Sequence, residues 1–449
     1  MHVYFHTFGC KANQYDTELV RQAFADQGAV VVDDPAGADV AVVNSCTVTH
    51  ESEVKMRGFV RRLARAGVET VVMGCAAALD DGKIAALPSV RAVVGGADPV
   101  RVLRAVGFQS PRVDPLLRHF RANARAWLKI QDGCDEHCTF CATTIARGVN
   151  RSRPIPELVR EARALAEHHA EIVLTGVHIG TYGKDRGFTD PGREPGVKKD
   201  RGLSHPGREA GVDERATSFA LGVPRAGARG QSTLGALLEA LITAVPEVRF
   251  RLSSIEATEV DDTIARLLIE APCHVAAHLH APLQSGSDRV LKRMGRYWYT
   301  AESYRARIEW LAERLPVLGL GADVIAGFPV ESEADHEATV GLIEALPFTY
   351  LHVFPFSVRP GAPAAKLQAQ LPPGAGGAVG AVKDRARELR ELGDTKQRAY
   401  RARRTGQRAD GVVSGRREGK VEVVTEDYLS VYLPIADWSG RPRFEVTVL

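Results

Sequence analysis

Short apolar runs that stop at a glycine or asparagine just before a cysteine, and then give way to a helical stretch, constrain this chain more than any other feature. His2–Phe8 is largely apolar and alternating and stops at Gly9-Cys10; Asp39–Val43 stops at Asn44-Ser45-Cys46; Thr70–Met73 stops at Gly74-Cys75. Helical periodicity fills the gaps, over Asp16–Asp26 and Val54–Ala66. Strand, helix, strand, helix, strand is the order of a parallel sheet, whose strands share one carboxyl edge where ligands bind. Cys10, Cys46 and Cys75 are therefore expected to meet at that edge, although three unrelated buried thiols would also suit a core.

The alternation resumes further along. Ala126–Gln131, Glu171–Thr175, Val248–Ser253, Val275–His280, Gly319–Ile325 and Tyr350–Phe354 read as strands; Pro156–His168, Leu234–Ala244, Asp261–Glu270, Ala301–Leu315 and Glu333–Leu346 read as helices. A series this long predicts a barrel-like parallel sheet with its chemistry at the strand C-termini. The expected class is α/β: a Rossmann-like parallel-sheet domain over residues 1–108, a linker at Gln109–Asn123, and a partial (β/α) barrel over 124–365. Alternating segments at Lys420–Thr425, Tyr428–Leu433 and Arg443–Leu449 predict a small β-barrel within 395–449. Residues 185–231 interrupt the series. They are rich in Gly, Pro and Arg, contain the near-repeat Pro191–Val197 and Pro206–Val212, and read as a mobile insertion, with an RNA-touching arm as the weaker alternative.

At 449 residues, 45% hydrophobic, the chain has material for two or three cores. No apolar run approaches the ~18 residues of a membrane span, and no leader precedes the first strand, so a cytoplasmic protein is expected. Seven cysteines argue against a secreted disulfide framework. The net charge of +3 is unevenly placed: Thr395–Lys420 holds nine basic residues against two acids, which leaves the remainder net negative by four. Either a solvated helix end or a nucleic-acid surface would carry such a stretch. A second basic stripe, Arg57, Arg61 and Arg65 at helical spacing with Arg62 beside it, follows Cys46; it either places positive charge near the cysteine edge or is a solvated helix face.

Three of the remaining four cysteines sit in Gly133-Cys-Asp-Glu-His-Cys-Thr-Phe-Cys141. So short a loop can hold three corners of one iron-sulfur cluster and leave the fourth iron open. A zinc site using His137 is the alternative, but zinc ligands usually come as two paired arms and no second arm is near. His278 and His280 share one face of a strand; hydrogen-bonded barrel histidines are expected, since no third ligand lies at metal spacing. Cys273 is expected to be a small core residue.

Cys-x3-Cys-x2-Cys with Phe140 before the last cysteine resembles the signature of the radical S-adenosylmethionine (SAM) enzymes. Leu174-Thr-Gly-Val177, Arg251-Leu-Ser-Ser-Ile-Glu256, His278-Leu-His-Ala-Pro-Leu-Gln-Ser-Gly-Ser-Asp288 and Asp323-Val-Ile-Ala-Gly-Phe-Pro329 follow in the order found in one family of them, the radical-SAM methylthiotransferases. The resemblance spans nearly the whole chain except the insertion. It implies two 4Fe-4S clusters, one on Cys134, Cys138 and Cys141 that cleaves SAM, and a sulfur-carrying one on Cys10, Cys46 and Cys75. It implies SAM contacts at Phe140 (adenine), Thr175 and Gly176 (methionine moiety), Ser254 and Glu256 (ribose), with Gln284 and Asp323 as pocket neighbours; ordinary barrel-end packing is the alternative for these. The last 55 residues resemble a TRAM domain, an RNA-binding module. No catalytic side chain is assigned.

Within the family, Gly9-Cys-Lys-Ala-Asn-Gln-Tyr-Asp-Thr-Glu18 and Asn44-Ser-Cys-Thr-Val-Thr49 resemble the branch acting on N6-threonylcarbamoyladenosine at position 37 of tRNA. The isopentenyladenosine branch typically has Gln-Met after the first cysteine, and the ribosomal-protein aspartate branch Pro-Lys. Two segments depart from the family pattern, Gly327-Phe-Pro-Val-Glu-Ser332 and Ala142-Thr-Thr-Ile-Ala-Arg-Gly148, which leaves SAM contacts beside them open. The implied partners are a tRNA anticodon stem-loop, an electron donor such as flavodoxin or ferredoxin, and an unidentified sulfur donor. Deleting 395–449 is expected to weaken tRNA binding and spare SAM cleavage. A non-catalytic RNA-binding protein with structural metal is the rival from another class.

Overall fold

A computed structural model describes residues 1–48, 50–121, 124–186, 233–359, 361–370 and 379–449. The expected insertion at 185–231 lies outside them except for its first two residues. The N-terminal unit runs β1 (His2–Thr7), α1 (Lys11–Asp26), β2 (Val30–Val32), β3 (Val40–Ser45), α2 (His50–Arg65), β4 (Glu69–Gly74), α3 (Cys75–Ala78), β5 (Val90–Gly95) and α4 (Pro99–Val106). Its five strands are parallel in the order β2-β1-β3-β4-β5. Every residue of the central β3 is buried, as a strand covered on both faces requires. One face packs Val42, Val71 and Met73 against Val20 and Phe24 of α1 and Leu103 of α4; the other packs Ala41, Val43 and Val72 against Met56, Val60 and Leu63 of α2. Each fully buried aliphatic side chain contributes roughly 1.5–3 kcal/mol.

The central unit continues with β6 (Arg125–Lys129), β7 (Gln131–Asp132), α5 (Thr143–Arg147), β8 (Arg151–Ser152), α6 (Ile155–Ala166), β9 (Glu171–Thr175), α7 (Leu234–Ala244), β10 (Arg249–Leu252), α8 (Asp262–Glu270), β11 (His278–His280), α9 (Asp288–Arg293), α10 (Ala301–Arg314), β12 (Gly319–Ala326), α11 (Glu333–Ala345) and β13 (Tyr350–Pro355). Two parallel three-stranded sheets, β10-β9-β6 and β11-β12-β13, are joined by parallel bridges Phe250–Val275 and Ser254–His280. The six strands form an open barrel wall with the helices outside.

The expected linker is not a loose one. Leu117 and Phe120 are buried in the central core, Gln22 of α1 donates to the Leu116 carbonyl at 2.8 Å, and Arg118 pairs with Asp26 at 2.5 Å.

After α12 (Ala364–Gln370), the long α13 (Val379–Arg404) leads to β14 (Arg408–Arg417), β15 (Lys420–Thr425), β16 (Ser430–Pro434) and β17 (Arg443–Thr447). These four strands make a curled antiparallel sheet, order β16-β15-β14-β17, consistent with a small barrel. No helix among the described residues is long and apolar enough to cross a membrane.

The sheet is joined to the central wall by buried charge. Glu171, fully buried, accepts from Arg125 at 2.6 Å, from Arg249 at 2.6 Å and from Arg251 at 3.0 Å. Three guanidinium groups hold its carboxyl well below the usual carboxylate range although burial opposes the charge. Arg251 also donates to the carbonyls of Thr425 and Glu426, and Arg249 to that of Val424. Deleting 395–449 would remove these partners of the buried guanidinium groups. The basic stretch itself is partly structural. Arg404 is buried against Glu426 and Asp427, Lys396 and Arg401 bond backbone carbonyls, and Arg416 lies over Trp438.

Candidate active site

Cys10, Cys46 and Cys75 stand just past β1, β3 and β4, on the shared carboxyl edge. Cys10 occupies the N-cap of α1 and Cys75 opens α3. Gly74 before it is obligatory: its φ is +98°, and a Cβ there would stand 2.2 Å from the Asn44 side-chain oxygen. Asn13, one turn into α1, gathers the trio. Its Oδ1 lies 3.4 Å from Cys10 Sγ and 3.9 Å from Cys75 Sγ, while its Nδ2 donates to Asn44 Oδ1 and the Ser45 carbonyl beside Cys46. Burial pushes the Cys46 thiol up to about 11, with Cys10 and Cys75 adding to the rise. Burial likewise raises Cys75. Thiols so placed stay protonated near neutral pH unless a metal replaces the proton, which fits a ligand set better than a reactive nucleophile.

The second trio follows β7. Cys134, Cys138 and Cys141 are all half-buried. Burial pushes Cys138 up to about 12 against the nearby Arg296 guanidinium, which lies 3.5 Å from its sulfur. His178 Nδ1 is 3.6 Å from Cys134 Sγ, and its Nε2 meets Glu259 at 2.9 Å. Burial works against a charged His178, but those two hydrogen bonds outweigh it and raise the group to about 10. Three thiols on one short loop are a donor set for three irons of a four-iron cluster.

The two trios are brought together by a residue that the sequence reading passed over, Arg147 at the end of α5, six positions after Cys141. Its Nε donates to Cys75 Sγ at 3.1 Å, Nη1 to Asp132 at 2.9 Å, and Nη2 to Asn13 at 2.8 Å and to Asp16 at 2.9 Å. Lys129 completes the junction on the same two carboxylates. A cavity of about 260 Å³ opens there, lined by Gly74, Cys75, Lys129, Asp132 and Arg147. The only sequence signal was that the segment Ala142–Gly148 departs from the family pattern.

The expected cofactor residues fall as follows. Phe140 packs with Val330 against Val290, Met294 and Phe328, which places the first departure from the family pattern beside the aromatic. Thr175 is buried at the end of β9, its carbonyl taking the Ile130 amide at 2.8 Å. Gly176 has no room for a side chain: a Cβ would stand 2.8 Å from Gln131 Oε1, the atom that accepts the Val177 and His178 amides at 2.9 Å each. Ser254 is exposed past β10. Glu256 is clasped by Arg296 and Trp298, partners that the sequence reading missed. Gln284 holds a left-handed backbone (φ +64°), a strained state that marks functional turns. The thiol trio, the tight Gly176 turn and the strained Gln284 fit a cluster and a small cofactor at the barrel's strand ends.

Asp323 is paired with two histidines. Its Oδ1 takes His280 Nε2 at 2.9 Å and His352 Nδ1 at 3.2 Å, and the ligand atoms of the three residues lie within 4.8 Å of one another. His278 and His280 do share the Tyr350 hydroxyl, at 2.8 and 3.0 Å, as hydrogen-bonded histidines. Across the sheet, Asp323 of β12 and His352 of β13 stand beside His280, and His278 is not one of that group. Cys273 is exposed rather than buried; it sits in the turn after α8, where its carbonyl accepts from Arg443. Arg61, Arg62 and Arg65 are exposed on α2, with Arg62 lying over the Phe59 ring.

Known proteins resemble the chain at both levels. The profile of "Uncharacterized protein family UPF0004" matches residues 2–95 and that of the "Radical SAM superfamily" residues 128–343. The threonylcarbamoyladenosine tRNA methylthiotransferase MtaB of Bacillus subtilis is 36% identical over 82% of this chain and 76% of its own length. That of Aquifex aeolicus is 30% identical over 96% of each. A tRNA-2-methylthio-N(6)-dimethylallyladenosine synthase of Acidithiobacillus ferrooxidans is 32% identical over 82% and 78%. In fold, the chain resembles the radical SAM methyltransferase TsrM of Kitasatospora setae, with a TM-score of 0.55 at 13% identity over 81% of this chain and 76% of that one. With these likenesses and the Cys134–Cys141 loop at the head of a parallel barrel, the chain belongs to the radical SAM methylthiotransferases, in the family of the threonylcarbamoyladenosine tRNA methylthiotransferases MtaB.

Proposed function

We infer that this protein adds a methylthio group to carbon 2 of N6-threonylcarbamoyladenosine at position 37 of tRNA. The observation that carries this reading is the Arg147 contact, which ties the loop of the SAM-cleaving trio to Cys75 of the other trio at 3.1 Å. The two trios then lie on segments held against each other, as suits a reaction needing both a radical and a sulfur carrier. Cys134, Cys138 and Cys141 would hold the 4Fe-4S cluster of the superfamily; Cys10, Cys46 and Cys75 would hold a second.

Carbon 2 of adenine bears an unactivated hydrogen that no side-chain base or nucleophile replaces with sulfur. SAM bound at the first cluster supplies radical chemistry for that step. The chain's own residues orient and protect. Gln131 fixes the Gly176–His178 turn, Arg296 offsets the thiolate charge at Cys138, and Arg147 does the same at Cys75. The exposed arginines Arg417 of β14 and Arg61 and Arg65 of α2 suit phosphate contacts on an anticodon arm whose loop base is splayed out. An electron donor of the flavodoxin or ferredoxin kind and a cytoplasmic setting go with this reading.

Mass spectrometry of tRNA nucleosides tests it, after anaerobic incubation with SAM, reductant, a sulfide source and threonylcarbamoylated tRNA. The methylthio product is expected from the wild type and lost in Cys10→Ala and Cys138→Ala. Formation of 5′-deoxyadenosine with no methylthio nucleoside would overturn the substrate assignment.

A further inference from the structure

Lys11, the residue that follows Cys10 in the branch-distinguishing motif, has no carboxylate within ion-pair distance among the described residues. It lies instead within electrostatic reach of Arg125, Arg251 and Tyr428, and of His278. Arg125, Arg251 and His278 are buried at 7%, 1% and 3% exposure. Two of them carry an orphaned nitrogen, Arg125 Nη2 and His278 Nδ1, where buried polar groups are ordinarily bonded. The charges do not balance either. Arg125, Arg249, Arg251 and Arg443 share Glu171 and Asp410 as their paired carboxylates and Lys11 pairs with neither, so cations are in excess among the described residues.

A third observation comes from the C-terminal sheet. Tyr428 sits in a left-handed backbone (φ +70°), which is unfavourable for an aromatic residue. The loop holds it there through the Tyr428 amide on the Thr425 carbonyl at 3.1 Å. The ring is thereby laid 4.4 Å from His278 and 5.3 Å from the Arg251 guanidinium. The result is a cluster of cations with an aromatic ring laid against it, next in sequence to the first cysteine of the sulfur-carrying trio.

We propose that this cluster, with its two unpartnered nitrogens, binds the free carboxylate of the threonyl group on the substrate base, and that Lys11 is the residue that selects it. The inference rests on the reading of the substrate given above. The carboxylate is the group that a threonylcarbamoyl adenine has and a dimethylallyl adenine lacks. It lies a few bonds from the N6 atom, so a base with carbon 2 turned to the Cys10 cluster carries it toward the neighbouring residue. Guanidinium forks suit a planar carboxylate, and an apolar substituent would leave the cations unpaired, which is how such sites reject an analogue. Lys11 acts here as a specificity residue for binding; no step of the sulfur transfer is assigned to it.

The test uses the full-length, cluster-loaded protein without SAM. Its affinity is measured by fluorescence anisotropy for three anticodon stem-loops, carrying threonylcarbamoyladenosine, the methyl ester of its threonyl carboxyl, or unmodified adenosine. For the wild type, the ester is expected to bind at least tenfold more weakly than the acid. Lys11→Gln should erase most of that difference and leave the unmodified loop's affinity unchanged. Equal binding of acid and ester by the wild type overturns the proposal and needs no variant that might misfold. So does full discrimination retained by Lys11→Gln with its iron content intact. Turnover of a dimethylallyladenosine loop in place of the threonylcarbamoyl one would instead bring down the substrate reading itself.

Discussion

Replacing Arg147 by Met removes one guanidinium from four acceptors at once. Arg147 is 9% exposed at its side chain and Asp16 3%, so the pair is cut off from water. Removing one partner of a buried ion pair costs about 3–5 kcal/mol. Lys129 remains on both Asp16 and Asp132, which places the expected loss near the lower end, about 3 kcal/mol. Arg147→Lys keeps the charge, but a single ammonium cannot point at Asp16, Asp132 and Cys75 together; one or more charge-assisted hydrogen bonds are lost, each worth about 1.5–3 kcal/mol. The assay is urea unfolding of the cluster-free protein followed by tryptophan fluorescence. Trp127 is a suitable reporter because its indole N–H bonds Gln14 of α1 across the same junction, at 2.5 Å. A cycle with Asp16→Asn should show coupling of about 1.5 kcal/mol or more. Additive effects, within about 0.5 kcal/mol, would refute the view that Arg147 and Asp16 form the joint between the two cysteine sites.

Gly176→Ala should weaken SAM binding at least tenfold in equilibrium dialysis, because its Cβ would displace Gln131; unchanged affinity would mean the turn can relax. In cluster-free protein at pH 8, iodoacetamide should label exposed Cys10 and Cys273 first. Cys46 should follow roughly 100-fold more slowly, since a thiol raised to about 11 is scarcely ionised there. Asp323 tests the sign of a pH dependence. Burial opposes its charge, but hydrogen bonds from His280 and His352 outweigh it and hold the carboxyl well below the usual range. Its contribution is therefore present above the unfolded pKa of about 4 and lost as pH falls toward the folded value. Asp323→Asn should cost stability near neutrality and progressively less on acidification; a constant difference across that range would contradict the assignment.

Local physics made the framework readable. Every N-terminal strand end bearing a cysteine lies where the apolar run stops, because a buried parallel strand must be apolar along its length and its ligand edge must not be. The open barrel followed from the same alternation. Boundaries moved where capping decides: α1 begins at Lys11 rather than Asp16, because Cys10 takes the N-cap and the polar first turn of α1 is spent on the site. The short β2 and most of α13, up to its basic end, carry weak or highly charged patterns and went unread. The expected core position of Cys273 failed because burial depends on what packs over a turn, which no local pattern encodes.

The inventory is legible in the chain alone: two cysteine trios, the strands that carry them, the family, and the basic C-terminal sheet. How these meet belongs to the fold. Arg147 joins Cys75, Asp16 and Asp132 from positions 72 to 131 residues apart, counted from Cys75 and Asp16, and Asp323 gathers histidines from two other strands. Lys11 likewise finds its cationic neighbours on β6 and β10 and its aromatic one on the C-terminal sheet. A lone arginine or lysine looks the same in a string of letters whether it is solvated or buried. Its meaning is set by desolvation and by the charges that the fold places around it.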